Sequence, residues 1–307
     1  MKAFLFPGQG AQYVGMAKDL YDQYPAVRSM FDRAEEILGF PLRKIAFEGP
    51  EDELKQTQYT QPAIFVHSLG MLRLLNEREL KPEAVAGHSL GEYSALVCAG
   101  ALNFEVALRL VKLRGRLMQY SGEQNPGTMA AIIGLPRETV EEICRTVSKE
   151  HLVQPANFNS PGQIVISGSV DGVHRAMALA KENKARAVME LVVSGAFHSP
   201  LMEEALSGLK EALAEADIRN PEIPVYTNVT AQPVQTAETV REMLQRQLLS
   251  PVLWQNIIEN MHADGFDQFY EVGPSKVLCG LNRRINRQLQ CTPLGKAEDL
   301  ENLNRET

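Results

Sequence analysis

The chain has 307 residues, 44% of them hydrophobic and 22% charged, with a formal net charge of −7. That length holds one large domain, or one large and one small, around a substantial core. The acidic balance excludes broad nucleic-acid binding, which needs a basic footprint, and no apolar run approaches the roughly 18 residues of a membrane span.

The N-terminal MKAFLF reads as a short buried strand. It is too brief an apolar run before Pro7 and Gly8 for a signal peptide, so a cytoplasmic location is expected. A Gly-rich loop and a helix through the twenties follow. AIFVHSLGMLRLLNER carries apolar residues at helical spacing and predicts a long, buried helix. AVAGHSLGEYSALVCAG then reads as strand, tight turn and helix. Such alternation favours a layered α/β domain with a mostly parallel sheet.

Residues 125–195 have a different pattern. TMAAIIGL reads as a strand and PRETVEEICRTVSK as a helix with Pro136 near its start. LVQPANFN and QIVISG are strand-like runs around the turn-former SPG, VDGVHRAMALAKEN is helical, and ARAVMELVV closes as a strand. The order βαββαβ predicts a ferredoxin-like small domain, inserted into a large α/β domain formed by 1–124 and 196–307. IPVYTNVT and FDQFYEVGP return to the large sheet, and the polar tail after about Gly295 is expected to be peripheral. The cysteines Cys98, Cys144, Cys279 and Cys291 form no CxxC pair, so reduced, scattered thiols are expected and zinc spacing is absent.

Gly87-His88-Ser89-Leu90-Gly91 fits G-x-S-x-G between a strand and a helix, the context that motif requires. A sharp turn there exposes the serine hydroxyl, glycines on both sides make room, and the helix N-terminus faces a reacting carbonyl. Ser89 therefore reads as a nucleophile. A serine nucleophile needs a base. His88 points elsewhere from such a turn and reads as a structural side chain at the edge of the site. Of the others, His67 falls in an apolar helix, His151 and His174 on the surface of the insertion, and His262 near a helix end. His198 lies in SGAFHSP, where the insertion returns to the large domain, and is the favoured base. No Asp between Ser89 and His198 offers itself as a third member, so the hydrolase order Ser…Asp…His is not met.

FPGQGAQ, QTQYTQPA, GHSLGEYSALVCAG, KLRG, NFNSPGQIVISG, SGAFHSPLM, PVLW and EVGPSKVLCGL together resemble the malonyl-CoA:acyl carrier protein transacylase family, in order and across nearly the whole chain. The resemblance implies an α/β-hydrolase-like large domain. It gives Ser89 the nucleophile's role and His198 the base's, with the backbone N–H groups of Gln9 and Leu90 forming the oxyanion hole. Arg114 resembles the arginine that grips the free malonyl carboxylate, and Gln247 the residue whose backbone carbonyl orients the histidine, which replaces the missing Asp. A planar guanidinium suits that task, because it pairs both carboxylate oxygens and stays charged when desolvated. Met118 is placed along the acyl pocket, GAFH matches the form associated with malonyl selectivity, and Asn157 and Asn159 either shape the cleft or stabilise a turn. Where the family often reads GQGSQ this chain has Ala11, which leaves the Gln9 backbone donor in place.

The same resemblance implies a ping-pong transfer from malonyl-CoA to acyl carrier protein in fatty acid biosynthesis. No metal or cofactor, nucleic acid or membrane takes part, and a monomer is expected. Arg186, Arg283, Arg284 and Arg287 are candidates for the surface that meets the acidic carrier. Competing readings are a polyketide-loading acyltransferase or acyl hydrolase, a generic serine esterase, and a non-catalytic carrier-binding scaffold.

Overall fold

In the computed structural model the chain is described over residues 1–306, with side chains through Leu303. The first strand, β1 (Lys2–Phe6), shows why the fold is layered. Ala3 and Leu5 enter one buried core while Phe4 and Phe6 enter another on the opposite face, and all four are fully buried. A strand apolar on both faces needs cover on both sides, which is the condition of a central parallel sheet.

The further strands are β2 (Ala84–Gly87), β3 (Gly127–Ile133), β4 (Val153–Ser160), β5 (Gln163–Ser169), β6 (Ala187–Glu190), β7 (Val225–Tyr226), β8 (Pro233–Val234), β9 (Gln268–Val272) and β10 (Gln290–Leu294). One sheet has the order β10-β9-β1-β2-β7-β8, parallel except for the β7–β8 pair. A second, smaller sheet has the order β4-β5-β3-β6 and is antiparallel throughout. The result is an α/β fold with a mixed sheet and a separate antiparallel one. Phe158 N–H donates to Val252 O and Val252 N–H to Ala156 O, each at 2.9 Å, so β4 is bonded to the segment leading into the helix Trp254–Ala263. The expected long helix runs Thr57–Glu77 and lies against Phe104–Gln124, which carries Arg114.

Two expectations are corrected. Cys279 and Cys291 form a disulfide, whereas Cys98 and Cys144 are free thiols. The first turn of the helix Val277–Ile285 lies beside β10, and sequence spacing alone does not reveal that approach. The tail is also no loose end. The helix Ala297–Glu306 buries Ala297 and Leu300, Asp299 accepts from the Gly295 and Lys296 N–H groups, and His67 meets Gly295 O at 2.7 Å. Two strands end sooner than expected, and both endings feed the site. The chain leaves the sheet at Glu190, so Leu191 and Val193 are free to line a cavity. It leaves β7 at Tyr226 and turns through Thr227–Ala231, carrying Asn228 beneath Ser89.

Candidate active site

β2 ends at Gly87 and a helix begins at Gly91, leaving Ser89 at φ 50 in the left-handed region. For a residue with a Cβ this costs on the order of 1–3 kcal/mol, and the surroundings hold it there. A Cβ on Gly87 would stand 1.9 Å from the Gly91 carbonyl carbon, and one on Gly91 2.0 Å from Phe6 O, so only glycine lets the three segments approach this closely. Asn228 clamps the turn: its Oδ1 accepts the Ser89 N–H at 2.7 Å and its Nδ2 donates to Gly87 O at 2.6 Å.

His198, also at positive φ (56), sets Nε2 2.9 Å from Ser89 Oγ. Its Nδ1 faces two carbonyl oxygens, Gln247 O at 2.9 Å and Ser250 O at 3.1 Å. Carbonyls only accept, so the ring proton sits on Nδ1 and Nε2 is left as an acceptor for the serine proton. Gln154 Nε2 donates to His198 O at 2.8 Å and fixes the backbone behind the ring. Burial first, and then the charge of Arg114, lower the imidazole pKa to about 3, so the ring is neutral and ready to accept.

Arg114 is 1% exposed. Its Nη1 donates to Gln61 Oε1 at 2.9 Å, and its Nη2 to Gln247 Oε1 at 2.9 Å and Ser89 Oγ at 3.0 Å. Nε has no partner. Burial pulls its pKa down, but a guanidinium stays charged well below its ordinary range. A buried cation with an unsatisfied donor is costly to maintain and suits an anion that arrives from outside.

Ser89, His198, Arg114, Gln9, Leu90 and Met118 share one cavity of about 100 Å³, closed by Leu191, Val193 and Phe197. Among the described residues no acceptor takes the backbone N–H of Gln9 or Leu90. Met118 Sδ accepts from Gln61 Nε2 at 3.3 Å. Asn157 lines the same cavity, while Asn159 bonds His88 Nε2 at 2.9 Å and holds that ring against Trp254, so His88 stands at the edge of the site. The structure adds residues the sequence did not single out: Glu92, Asn228, Gln61 and Gln154. Glu92 alone left a signal, as a carboxylate in the otherwise apolar run GEYSALVCAG.

An α/β fold whose strained serine meets a neutral histidine and a buried cation is suited to carrying an acyl group as a serine ester. The chain belongs to the acyl transferase domain family, whose sequence profile matches residues 3–300, and within it to the malonyl CoA-acyl carrier protein transacylases. It is 45% identical over 300 residues to the Malonyl CoA-acyl carrier protein transacylase of Bacillus subtilis (strain 168), covering 97% of this chain and 95% of that one. With the transacylase of Escherichia coli (strain K12) the identity is 42%, over 96% of each. The crystal structure of an acyl carrier protein S-malonyltransferase from Vibrio cholerae O1 superposes with a TM-score of 0.95 at 42% identity, over 98% of this chain and 99% of that one. A malonyl-transacylase solved in complex with a type II PKS acyl-carrier protein gives a TM-score of 0.96 at 40% identity, over 100% of this chain and 99% of that one.

Proposed function

We propose that the protein transfers a malonyl group from malonyl-CoA to the phosphopantetheine thiol of acyl carrier protein, by way of an ester on Ser89. His198 Nε2 takes the Ser89 proton as Oγ attacks the thioester carbonyl. The Gln9 and Leu90 N–H groups receive the developing oxyanion, a contribution of roughly 10²–10³ in rate for each donor. The C–S bond breaks, CoA leaves with the proton from His198, and malonyl-serine remains. The carrier thiol then gives its proton to His198 and attacks the ester, and Ser89 is regenerated.

One observation carries the choice of acyl group: a buried guanidinium whose Nη2 is 3.0 Å from the nucleophile and whose Nε has no partner, at a cavity sized for a few atoms. Arg114 binds the terminal carboxylate that distinguishes malonyl from acetyl, and Met118 and Gln247 complete its surroundings. Gln9, His88 and Gln163 line a cavity beside the site, and Gln163 also borders a second of about 650 Å³ lined by Arg186, Arg283, Arg284 and Arg287. These arginines form the docking face for the acidic carrier.

The strained strand–turn–helix at Ser89 supports an α/β-hydrolase-like description of the large domain, 1–124 with 196–307. The strand order β4-β5-β3-β6 supports a ferredoxin-like small domain at 125–195. Among the described residues no helix is long and apolar enough to cross a membrane, and we place the monomeric protein in the cytoplasm, supplying fatty acid biosynthesis. The test is intact mass after mixing with malonyl-CoA. One malonyl adduct is expected in the native chain and none in Ser89→Ala; a folded native chain that gains no mass overturns the reading. Steady release of malonate without carrier would instead mark an acyl hydrolase.

A further inference from the structure

Glu92 lies in the first turn of the helix Gly91–Cys98 and takes no part in the acyl-transfer steps, yet it is 1% exposed. A carboxylate so deeply buried must be held by donors. Its Oε2 accepts the Asn228 N–H at 2.9 Å and Gln247 Nε2 at 3.0 Å, and its place in a first helical turn also favours negative charge. The two donors lead in different directions. Asn228 braces the serine turn. The Gln247 amide reaches across the site, with Nε2 also donating to Ser89 O at 3.0 Å and Oε1 accepting from Arg114 Nη2 at 2.9 Å.

That amide can serve Arg114 only one way round. A guanidinium donates and never accepts, so Gln247 must show it the oxygen. The NH₂ group then needs two acceptors, and those are Ser89 O and the Glu92 carboxylate. Withdraw Glu92 and one amide hydrogen is buried without a partner, while a flipped amide would set donor against donor at Arg114. Arg114's other amide partner is less firmly fixed, because Gln61 Nε2 meets only the Met118 sulfur, a weak acceptor. The aim of the guanidinium over Ser89 therefore depends on Glu92 through Gln247.

We propose that Glu92 is a positioning residue for acyl-group selection, fixing the Gln247 amide so that Arg114 is held where the free carboxylate of a dicarboxylic acyl thioester must pair. The proposal rests on Arg114 as the carboxylate-binding group. Glu92 acts here by reach. The serine turn keeps further supports in the glycines and in the Asn228 side chain's own bonds to Ser89 N–H and Gly87 O, so loss of the Gln247 contact bears on selection before it bears on chemistry.

The test pairs two mild substitutions. Glu92→Asp keeps the charge and pulls the carboxylate away from Gln247; Glu92→Gln keeps the reach and an acceptor oxygen without the charge. Single-turnover acylation of Ser89 by malonyl-CoA and by acetyl-CoA is followed by intact mass, and thermal melts confirm the fold. Glu92→Asp is expected to lower the malonyl-to-acetyl ratio of second-order acylation rate constants about tenfold, through malonyl alone, while Glu92→Gln stays within about threefold of the native ratio. An unchanged ratio in Glu92→Asp, or an equal loss with both thioesters, overturns the proposal. So does the reverse pattern, with Glu92→Gln impaired and Glu92→Asp intact, which would assign the effect to charge. A native enzyme without malonyl preference overturns the Arg114 reading itself, and is recognised because no substitution is needed to see it.

Discussion

At the scale of single residues, the site turns on which atoms can donate. Two carbonyls on Nδ1 fix the His198 tautomer without an acidic partner, and this is why no Asp between Ser89 and His198 is required. On the proposed function the cation at Arg114 selects substrates by charge. Arg114→Ala should lower kcat/KM for malonyl-CoA by at least about 100-fold, the loss of a charge-assisted pair in a dry site. Activity toward acetyl-CoA should be kept or raised. Steady-state kinetics with both thioesters checks this, and a variant that still prefers malonyl would put the carboxylate contact elsewhere.

At the scale of elements, the turn between β2 and its helix is the least forgiving part of the fold. Gly91→Ala should destabilise the protein by about 2–4 kcal/mol, because the new methyl group would meet the β1 backbone rather than a side chain that can move. Urea unfolding midpoints measure it; a cost below about 1 kcal/mol would mean that the close approach is easily relaxed. Much of this was legible in the sequence, since G-x-S-x-G between a strand and a helix encodes its own geometry, and the alternation of apolar runs announced both sheets. What stayed hidden depends on contacts remote in sequence. Asn228 clamps Ser89 from the end of β7, the strand beside β2 in the sheet but 139 residues on in sequence, Cys279 meets Cys291 only because a helix doubles back, and the tail docks because Leu300 finds a buried place. Strand ends were hidden for a related reason. ARAVMELVV is apolar for most of its length, and nothing local says that its last residues turn aside to wall a cavity.

At the scale of the whole molecule, buried neutral histidines tie stability to pH. His67 is pushed down to about 4 by burial, its bond to Gly295 O offsetting this only in part, and His198 and His88 are lowered for the same first reason. Above pH 6.5 the His67 ring is neutral folded or unfolded and contributes nothing to pH dependence. As pH falls below that value the unfolded chain takes up a proton that the fold refuses until about 4, so stability is lost on the acid side. Glu92 runs the opposite way. Its folded pKa, raised to about 7 chiefly by burial, favours the fold at low pH and loses that contribution as pH rises through 7. His67→Gln keeps a donor for Gly295 O and removes one titrating group. Between pH 6.5 and 4 its stability should fall less steeply than the native chain's by about 1.4 kcal/mol per pH unit. Denaturant melts across that range decide it, and parallel curves would show that His67 already carries its proton in the fold.

The 3.0 Å contact between Arg114 Nη2 and Ser89 Oγ has a consequence for how the nucleophile is reached. The serine gives its proton toward His198 while the Arg114 cation donates to one of its lone pairs. A thioester carbonyl must therefore be met by the lone pair that remains, which narrows the direction from which Ser89 can be approached. On the proposed function, the cation that meets a guest's charge also sets the path along which the reacting oxygen is reached, so charge recognition and direction of attack share one side chain.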